Sequence, residues 1–109
     1  MQIKMEKPNL VYIEELSGGD KIFEKQLLVI LKKEFPLEVL AYQKSIKKQD
    51  FLETAENVHK IKHKISILGL EKGYTIASDF EKELKKEKTS KQVFFEEILR
   101  NISLFLNTI

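Results

Sequence analysis

Hydrophobic residues recur at spacings of three and four along most of this chain, and no alternation typical of a strand competes with them. Such spacing gathers apolar side chains on one side of a helix, which turns by about 100° per residue. Successive segments carry the pattern, so the sequence predicts a series of amphipathic helices. Their apolar positions are Phe23, Leu27, Ile30, Leu31, Leu37, Leu40 and Ile46; Phe51, Ala55, Val58, Ile61, Ile65 and Leu68; Tyr74, Ala77, Phe80 and Leu84; and Phe94, Phe95, Ile98, Ile102, Phe105 and Ile109.

Residues that favour helix starts stand where these segments begin. Asn9 is placed to cap a short helix that runs through Leu16, and Asp20 is placed to cap the second helix. Asp50 and Glu53 have the spacing of a capping box, which predicts the start of the third helix. Residues 89 to 92 form a second capping-box candidate ahead of the last helix.

Helix ends and interruptions are also marked. Pro36 lacks an amide donor, so we expect it to kink or break the second helix. Gly69 is suited to end the third helix in a left-handed conformation. The following helix is predicted from about Glu71 to Lys86, with a solvated loop after it.

Amphipathic helices joined by short turns can bury their apolar stripes only by packing together. We therefore predict an all-α fold, an antiparallel up-down four-helix bundle preceded by a short additional N-terminal helix. A chain of 109 residues suits one domain. We assign residues 1–8 to a flexible N-terminal segment and residues 9–109 to the bundle domain.

Composition narrows the functional class. Hydrophobic residues at 42% and charged residues at 33% are typical of a soluble globular protein, and the near balance of charge (+2) gives little reason to expect nucleic-acid binding. No apolar run is long enough to span a membrane, and the N-terminus lacks a secretory signal, so we expect a cytoplasmic protein with no membrane partner. The absence of cysteine excludes a thiolate nucleophile and cysteine-based zinc sites.

The candidate chemistry lies on the predicted third helix. His59 stands beside its apolar stripe, and an imidazole so placed can be phosphorylated. Lys62, one turn beyond, can lay its alkyl stem on apolar surface and lift its ammonium toward the group that His59 carries. Lys60 and Lys64 add local positive charge, which favours an acidic partner or a phosphoryl group. The flank around His59 is predicted to include Leu52, Glu56, Lys60, His63 and Ser66.

The run from His59 to Leu70 resembles the signature of histidine-containing phosphotransfer (HPt) domains, roughly His-x-(Leu/Ile)-Lys-Gly-x-x-x-x-(apolar)-Gly-(Ala/Leu). Residues 10–20 resemble the opening helix and turn of that family, residues 35–36 its kinked second helix and residues 70–84 its following helix. The resemblance covers about residues 9–84 closely and the last helix by pattern only.

The resemblance implies a phosphorelay protein of two-component signal transduction. His59 matches the phosphoacceptor, Lys62 the lysine that steadies the phosphoryl oxygens, and Gly69 the glycine that closes the helix. The implied partners are response-regulator receiver domains and a hybrid histidine kinase, with the receiver supplying both the aspartate and a magnesium ion. The chain itself needs no cofactor and no metal site, and it has no ATP-binding glycine-rich loop. We expect a monomeric phosphocarrier without turnover of its own, not an enzyme.

One position departs from the family pattern. Glycine is common where this chain has His63, and a small residue there leaves room for the partner. His63 has three interpretations: a solvent-facing residue, a side chain that crowds or hydrogen-bonds His59, or a metal ligand paired with His59. The second interpretation supports an alternative function, a receiver-docking module that does not depend on phosphorylation and in which His63 impairs transfer.

Overall fold

Five α-helices make up most of the protein in a computed structural model that describes residues 6–109. They are α1 (Val11–Ser17), α2 (Lys21–Lys47), α3 (Phe51–Ile67), α4 (Glu71–Leu84) and α5 (Gln92–Thr108). No strand occurs in the described range, so the all-α prediction is confirmed. No helix in this range is both long enough and apolar enough to cross a bilayer.

Asp20 and Asp50 cap their helices as predicted, whereas the N-cap of α1 is Leu10 and Asn9 lies one residue before it. Asn9 Oδ1 accepts a hydrogen bond from Val11 N at 3.1 Å at the start of α1. Asp20 Oδ1 accepts from two backbone N–H groups in the first turn of α2, at 3.0 and 3.1 Å. Asp50 Oδ1 accepts from Glu53 N at 3.1 Å. The capping box is only half formed, because Asp50 N donates to a carbonyl at the end of α2 and not to the Glu53 side chain.

The third helix ends as predicted. Gly69 has φ of +79°, in the left-handed region that favours glycine. A Cβ at this position would lie 2.5 Å from Asn9 Nδ2. The left-handed backbone therefore favours glycine here, and any Cβ would also have to displace the Asn9 side chain.

Pro36, expected to kink or break the second helix, does not break it, since α2 continues from Lys21 to Lys47. The prediction of a second capping box is wrong. Residues 89–92 do not form a capping box, since α5 has no side-chain cap of its own. The two residues before α5 are instead tied to α4, where the Glu83 carboxylate accepts from Lys91 N at 3.2 Å and from the Ser90 hydroxyl.

Helix α3 lies against α2 and α4, α5 lies against α4 and α2, and α1 packs on α2. At the centre, Tyr42, Phe80 and Phe95 form an edge-to-face cluster with ring centroids 5.1 to 6.4 Å apart. The remaining core residues are Ile13, Leu31, Phe35, Ala55, Val58, Ile61, Ile65, Leu68, Leu70, Ala77, Leu84, Ile98, Leu99, Ile102 and Leu106. The predicted stripe of α3 is therefore buried, except that Phe51 is only partly covered.

Most of the α2 residues that were predicted to face the core do not face it. Phe23, Ile30, Leu37 and Leu40 are exposed, while Leu31 and the unpredicted Phe35 and Tyr42 are buried. This helix has apolar residues on two sides. The side that carries two large aromatic rings buries more apolar area and faces the core. Tyr74, predicted to be buried on α4, is also 38% exposed.

The segment before α1 contacts the end of the molecule where α4 begins. The Glu6 carboxylate accepts hydrogen bonds from the N–H groups of Lys72 and Gly73 at 3.0 and 2.9 Å, which supplies the cap that α4 otherwise lacks. Asn101 Nδ2 donates to Glu6 O at 2.9 Å. Residues 1–5 of the predicted flexible segment lie outside the described residues.

Candidate functional site

Helix α3 presents His59 to solvent because its neighbours are committed to the core. Val58, Ile61 and Ile65 are fully buried, which fixes the rotation of the helix. His59 follows Val58 by one position and therefore lies about 100° away from it around the axis. Its side chain is 52% exposed.

The Glu81 carboxylate, on α4, binds one nitrogen of the His59 ring. Its two carboxylate oxygens lie 3.1 and 3.2 Å from His59 Nδ1. The Glu81 side chain is 15% exposed, so it approaches the exposed imidazole from the packed side of the α3–α4 contact. His59 Nε2 is then the ring nitrogen left for a reacting group.

Lys62 binds the same carboxylate. Its Nζ lies 3.0 Å from Glu81 Oε1, and its side chain is 12% exposed. The ammonium also lies 5.4 Å from the centre of the Tyr74 ring, within the range of a cation–π contact. Lys62 and His59, expected to act as a pair, are therefore connected through a residue on the next helix.

The charge state of Glu81 follows from these contacts. Burial on its own would raise the pKa of Glu81, but the hydrogen bonds from Lys62 and His59 outweigh burial and the net pKa is lowered. An ionised carboxylate can only accept hydrogen bonds. The proton of a neutral His59 ring is accordingly assigned to Nδ1, and the lone pair to Nε2.

The other lysines of this segment differ in their surroundings. Lys64 Nζ lies 3.1 Å from Glu34 and 2.9 Å from Glu38, both on α2, and its side chain is 12% exposed. Burial would lower the pKa of Lys64, but hydrogen bonds to Glu38 and Glu34 raise it overall. Lys60 is exposed and forms no ion pair within residues 6–109. The expected cluster of three available charges is therefore reduced, since two of the three are neutralised by carboxylates.

A shallow groove runs beside His59 between α3 and the end of α4. Leu52, Glu56 and Lys60 line it together with His59 and Glu81. Leu52 is 68% exposed and supplies apolar surface at one end. This arrangement offers a partner protein both an apolar contact and a reactive ring nitrogen.

His63 and Ser66 lie farther along the same helix. Both are exposed, and neither lines the groove. The rings of His63 and His59 are 5.1 Å apart and nearly perpendicular, at 89°. The His63 ring therefore contacts the His59 ring edge to face, and the His59 side chain is still about half exposed.

Glu81 is the residue that the sequence did not single out. It is 22 positions from His59, on a helix with several other polar residues, among them Asp79, Lys82 and Glu83. Its one signal is that it stands four positions after the buried Ala77, which places it at the edge of the face that meets α3.

Within residues 6–109, no three His, Cys, Asp or Glu side chains converge in the way that a metal ion requires. Comparisons of the chain with protein families, with curated proteins and with solved structures found no match. Function is therefore inferred from the residues and their geometry.

Proposed function

We propose that this protein is a phosphocarrier that accepts a phosphoryl group on His59 Nε2 from an aspartyl phosphate of a receiver domain and passes it to another receiver. The observation that carries the proposal is the Glu81–His59 contact, at 3.1 and 3.2 Å, on an imidazole that is half exposed. This contact orients the ring and directs its lone pair toward solvent, as an attacking nucleophile requires.

In the proposed transfer, one phosphoryl group moves from an aspartate oxygen of the receiver to His59 Nε2, and no other reactant is consumed. The Nε2 lone pair attacks phosphorus in line and forms the N–P bond. The bond between phosphorus and the bridging carboxyl oxygen of the aspartyl phosphate breaks, which leaves a carboxylate on the receiver. The Nδ1 proton stays on the ring, which becomes cationic. Glu81 lies against that proton and stabilises the positive charge, while return of the phosphoryl group to an aspartate reverses the same steps.

Lys62 supports the phosphorylated state. A phosphoryl group brings about two negative charges near Glu81, and the Lys62 ammonium, 3.0 Å from that carboxylate, offsets part of this repulsion. Lys60 is exposed on the same flank and adds positive charge where a phosphorylated receiver would approach.

We also propose that α2 to α5 form an antiparallel up-down four-helix bundle with α1 packed on α2. Short connections join successive helices, and each of the pairs α2–α3, α3–α4, α4–α5 and α2–α5 is in contact. Such a frame holds His59 and Glu81 on adjacent rigid helices, which suits a site that must keep one geometry.

The partner surface in this proposal is centred on the groove beside His59, and it extends along α3 to His63 and Ser66. A receiver domain, alone or as part of a hybrid histidine kinase, supplies the aspartate and the magnesium ion. The carrier then acts in the cytoplasm as a monomer, with no cofactor of its own. Encounters of this type bury small interfaces and are fast and salt-sensitive.

The test is transfer of label from a receiver phosphorylated with radioactive phosphate. We expect the wild-type chain to acquire acid-labile, base-stable label, which is the behaviour of phosphohistidine. His59→Gln should acquire none, whereas the matched variant His63→Gln should keep it. Label of the same stability on His59→Gln would contradict the assignment.

A second candidate function rests on the 5.1 Å contact between His59 and His63. In a docking module without transfer, the His63 ring would keep the receiver from in-line approach to Nε2. Titration with a receiver would then give binding but no label, and His63→Gly would restore labelling. If His63→Gly binds and still acquires no label, crowding is not the cause.

A further inference from the structure

Helix α2 has a second apolar face that the fold leaves uncovered. Ile22, Val29 and Leu37 are exposed by 73%, 58% and 62%, and Ile30 and Leu40 by 48% each. At about 100° per residue these five side chains fall within a sector of about 100°, opposite the side that carries Phe35 and Tyr42. We call these five residues the outer stripe of α2.

The outer stripe is larger than scattered surface residues would explain. From Ile22 to Leu40 it extends over about 27 Å of helix. A shallow groove at its N-terminal end is lined by Ile22, Lys25, Gln26, Val29 and Ile30, all from α2. Several large apolar side chains exposed along one face, here interrupted by Gln26 and Lys33, are typical of an interaction site.

The charged residues within the sector of the stripe are all lysines, and Glu34, 53% exposed, lies about as far outside one edge of the sector as Lys25 lies outside the other. Lys25, Lys33, Lys44 and Lys47 lie on or beside the same sector, are exposed, and form no ion pair within residues 6–109. The carboxylates of α2 are occupied elsewhere: Glu24 pairs with Lys21, and Glu34 and Glu38 pair with Lys64. A partner with acidic side chains beside an apolar stripe would therefore be complementary to this face.

Lys33 distinguishes between the occupants that could cover the stripe. It lies on the midline of the stripe, one turn after Val29 and one to two turns before Leu37 and Leu40 along the helix axis. In a second copy of the chain, lysines would face lysines. In a lipid surface, Lys33 would have to bend out of the apolar centre. In a helix pair, one polar residue on the midline selects a partner that carries an opposite charge there.

We propose that the outer stripe of α2 docks an amphipathic helix of a partner protein, one with an apolar stripe, acidic flanks and an acidic residue opposite Lys33. The surface lies on α2, whereas the groove beside His59 is lined from α3 and the end of α4. The two surfaces share no lining residue. The chain would thus be anchored through α2 while His59 stays accessible.

The probe is a labelled 21-residue peptide with leucine at its heptad a and d positions, glutamate at e and g, alanine and glutamine at b, c and f to favour a helix, and one a-position leucine replaced by glutamate to face Lys33. A charge-reversed twin carries lysine for every glutamate. Fluorescence anisotropy with the full chain should give saturable binding of the acidic peptide, at least about tenfold tighter than that of its twin. Equal binding of both peptides, or no saturable binding of the acidic one, would overturn the proposal.

Matched variants localise the binding. Leu37→Ser should weaken the acidic peptide by about tenfold, while Leu104→Ser, at an equally exposed position on α5 (62%), should not change it. Lys33→Glu should shift the preference toward the lysine twin, and the control Lys88→Glu should not. Circular dichroism checks that each variant is folded. Equal loss for Leu37→Ser and Leu104→Ser would contradict docking at the stripe.

The other occupants have distinct signatures. A dimer in sedimentation equilibrium that Leu37→Ser dissociates would assign the stripe to a second copy of the chain. Co-sedimentation with phosphatidylserine–phosphatidylcholine vesicles at concentrations where the acidic peptide does not bind would assign it to a membrane surface. Either result replaces the proposed helix.

Discussion

The two flanks of α3 carry the same kind of ion pair with different surroundings. Toward α4, Lys62 binds Glu81, and that carboxylate also holds the half-exposed His59. Toward α2, Lys64 binds Glu34 and Glu38, and neither carboxylate pairs with an imidazole within residues 6–109. Both lysines are 12% exposed, so burial does not distinguish them.

The difference lies in what the carboxylate contacts. On the α4 flank, Glu81 connects a largely covered ammonium to an exposed imidazole, and in the proposed transfer it can respond to charge that develops on that ring. On the α2 flank, the carboxylates contact only the lysine, and Glu38 Oε1 is buried with no hydrogen-bond partner in the described structure. We therefore expect the α4 flank to govern transfer and the α2 flank to govern stability.

The largest expected effect is on transfer through the α4 flank. Glu81→Gln keeps a hydrogen-bond acceptor near His59 but removes the charge that stabilises the cationic ring, so the transfer rate from a phosphorylated receiver should fall on the order of 10- to 100-fold. Rapid-quench measurement of the label gives the rate. The matched variant Glu38→Gln on the α2 flank should transfer at the wild-type rate. Equal loss in the two variants would remove the distinction between the flanks.

The next effect is on stability through the α2 flank. Lys64→Met leaves Glu34 and Glu38 facing each other without a cation, so the free energy of unfolding should fall by about 2 kcal/mol. Lys62→Met should cost less, because Glu81 keeps His59 as a partner. Urea denaturation followed by circular dichroism measures both. A larger loss for Lys62→Met than for Lys64→Met would reverse the comparison.

The pH dependence of stability should separate the flanks at opposite extremes. The pKa of Glu81 is lowered in the fold, so its contribution is present above the unfolded value of 4.5 and is lost as pH falls through the folded pKa. The pKa of Lys64 is raised, so its contribution is present below 10.5 and is lost as pH rises through the folded pKa. Glu81→Gln should thus flatten the acid limb of stability, and Lys64→Met the alkaline limb.

Denaturation at a series of pH values measures both limbs in each variant. If Glu81→Gln leaves the acid limb as steep as in the wild type, the Lys62 and His59 contacts do not hold that carboxylate ionised.

The smallest expected effect concerns the exposed charge on the His59 flank. Lys60→Glu should slow association with a receiver about threefold at low ionic strength, because an exposed charge acts mainly on the encounter rate. The difference should shrink in high salt. Stopped-flow fluorescence gives the rate, and Lys72→Glu, in the first turn of α4, is the control. A salt-independent decrease would indicate a direct contact and not steering.

Local rules predicted much of the fold. Asp20, Asp50 and Gly69 cap or end helices where expected, and Asn9 binds the start of α1 from one residue before its N-cap, since a cap acts on backbone groups within a few residues of itself. The last helix is the exception. Glu83 from α4 binds the N–H of its N-cap residue, Lys91, a contact that residues 89–92 do not reveal.

Helix α2 illustrates a different limit. It has apolar residues on two sides, so periodicity established that the helix is amphipathic without establishing its rotation. In the folded protein the side with Phe35 and Tyr42 packs into the core, and the outer stripe, including Leu37 and Leu40, is exposed.

The amino-acid sequence was enough to place His59 on an exposed flank of a helix. Val58, Ile61 and Ile65 repeat every three to four residues and are buried, so they fix which side of the helix faces solvent. The sequence was not enough to find Glu81, which meets His59 across 22 positions of chain. That contact depends on how α4 is turned and seated against α3. Rotation and seating follow from the packing of many side chains at once, which no local pattern contains.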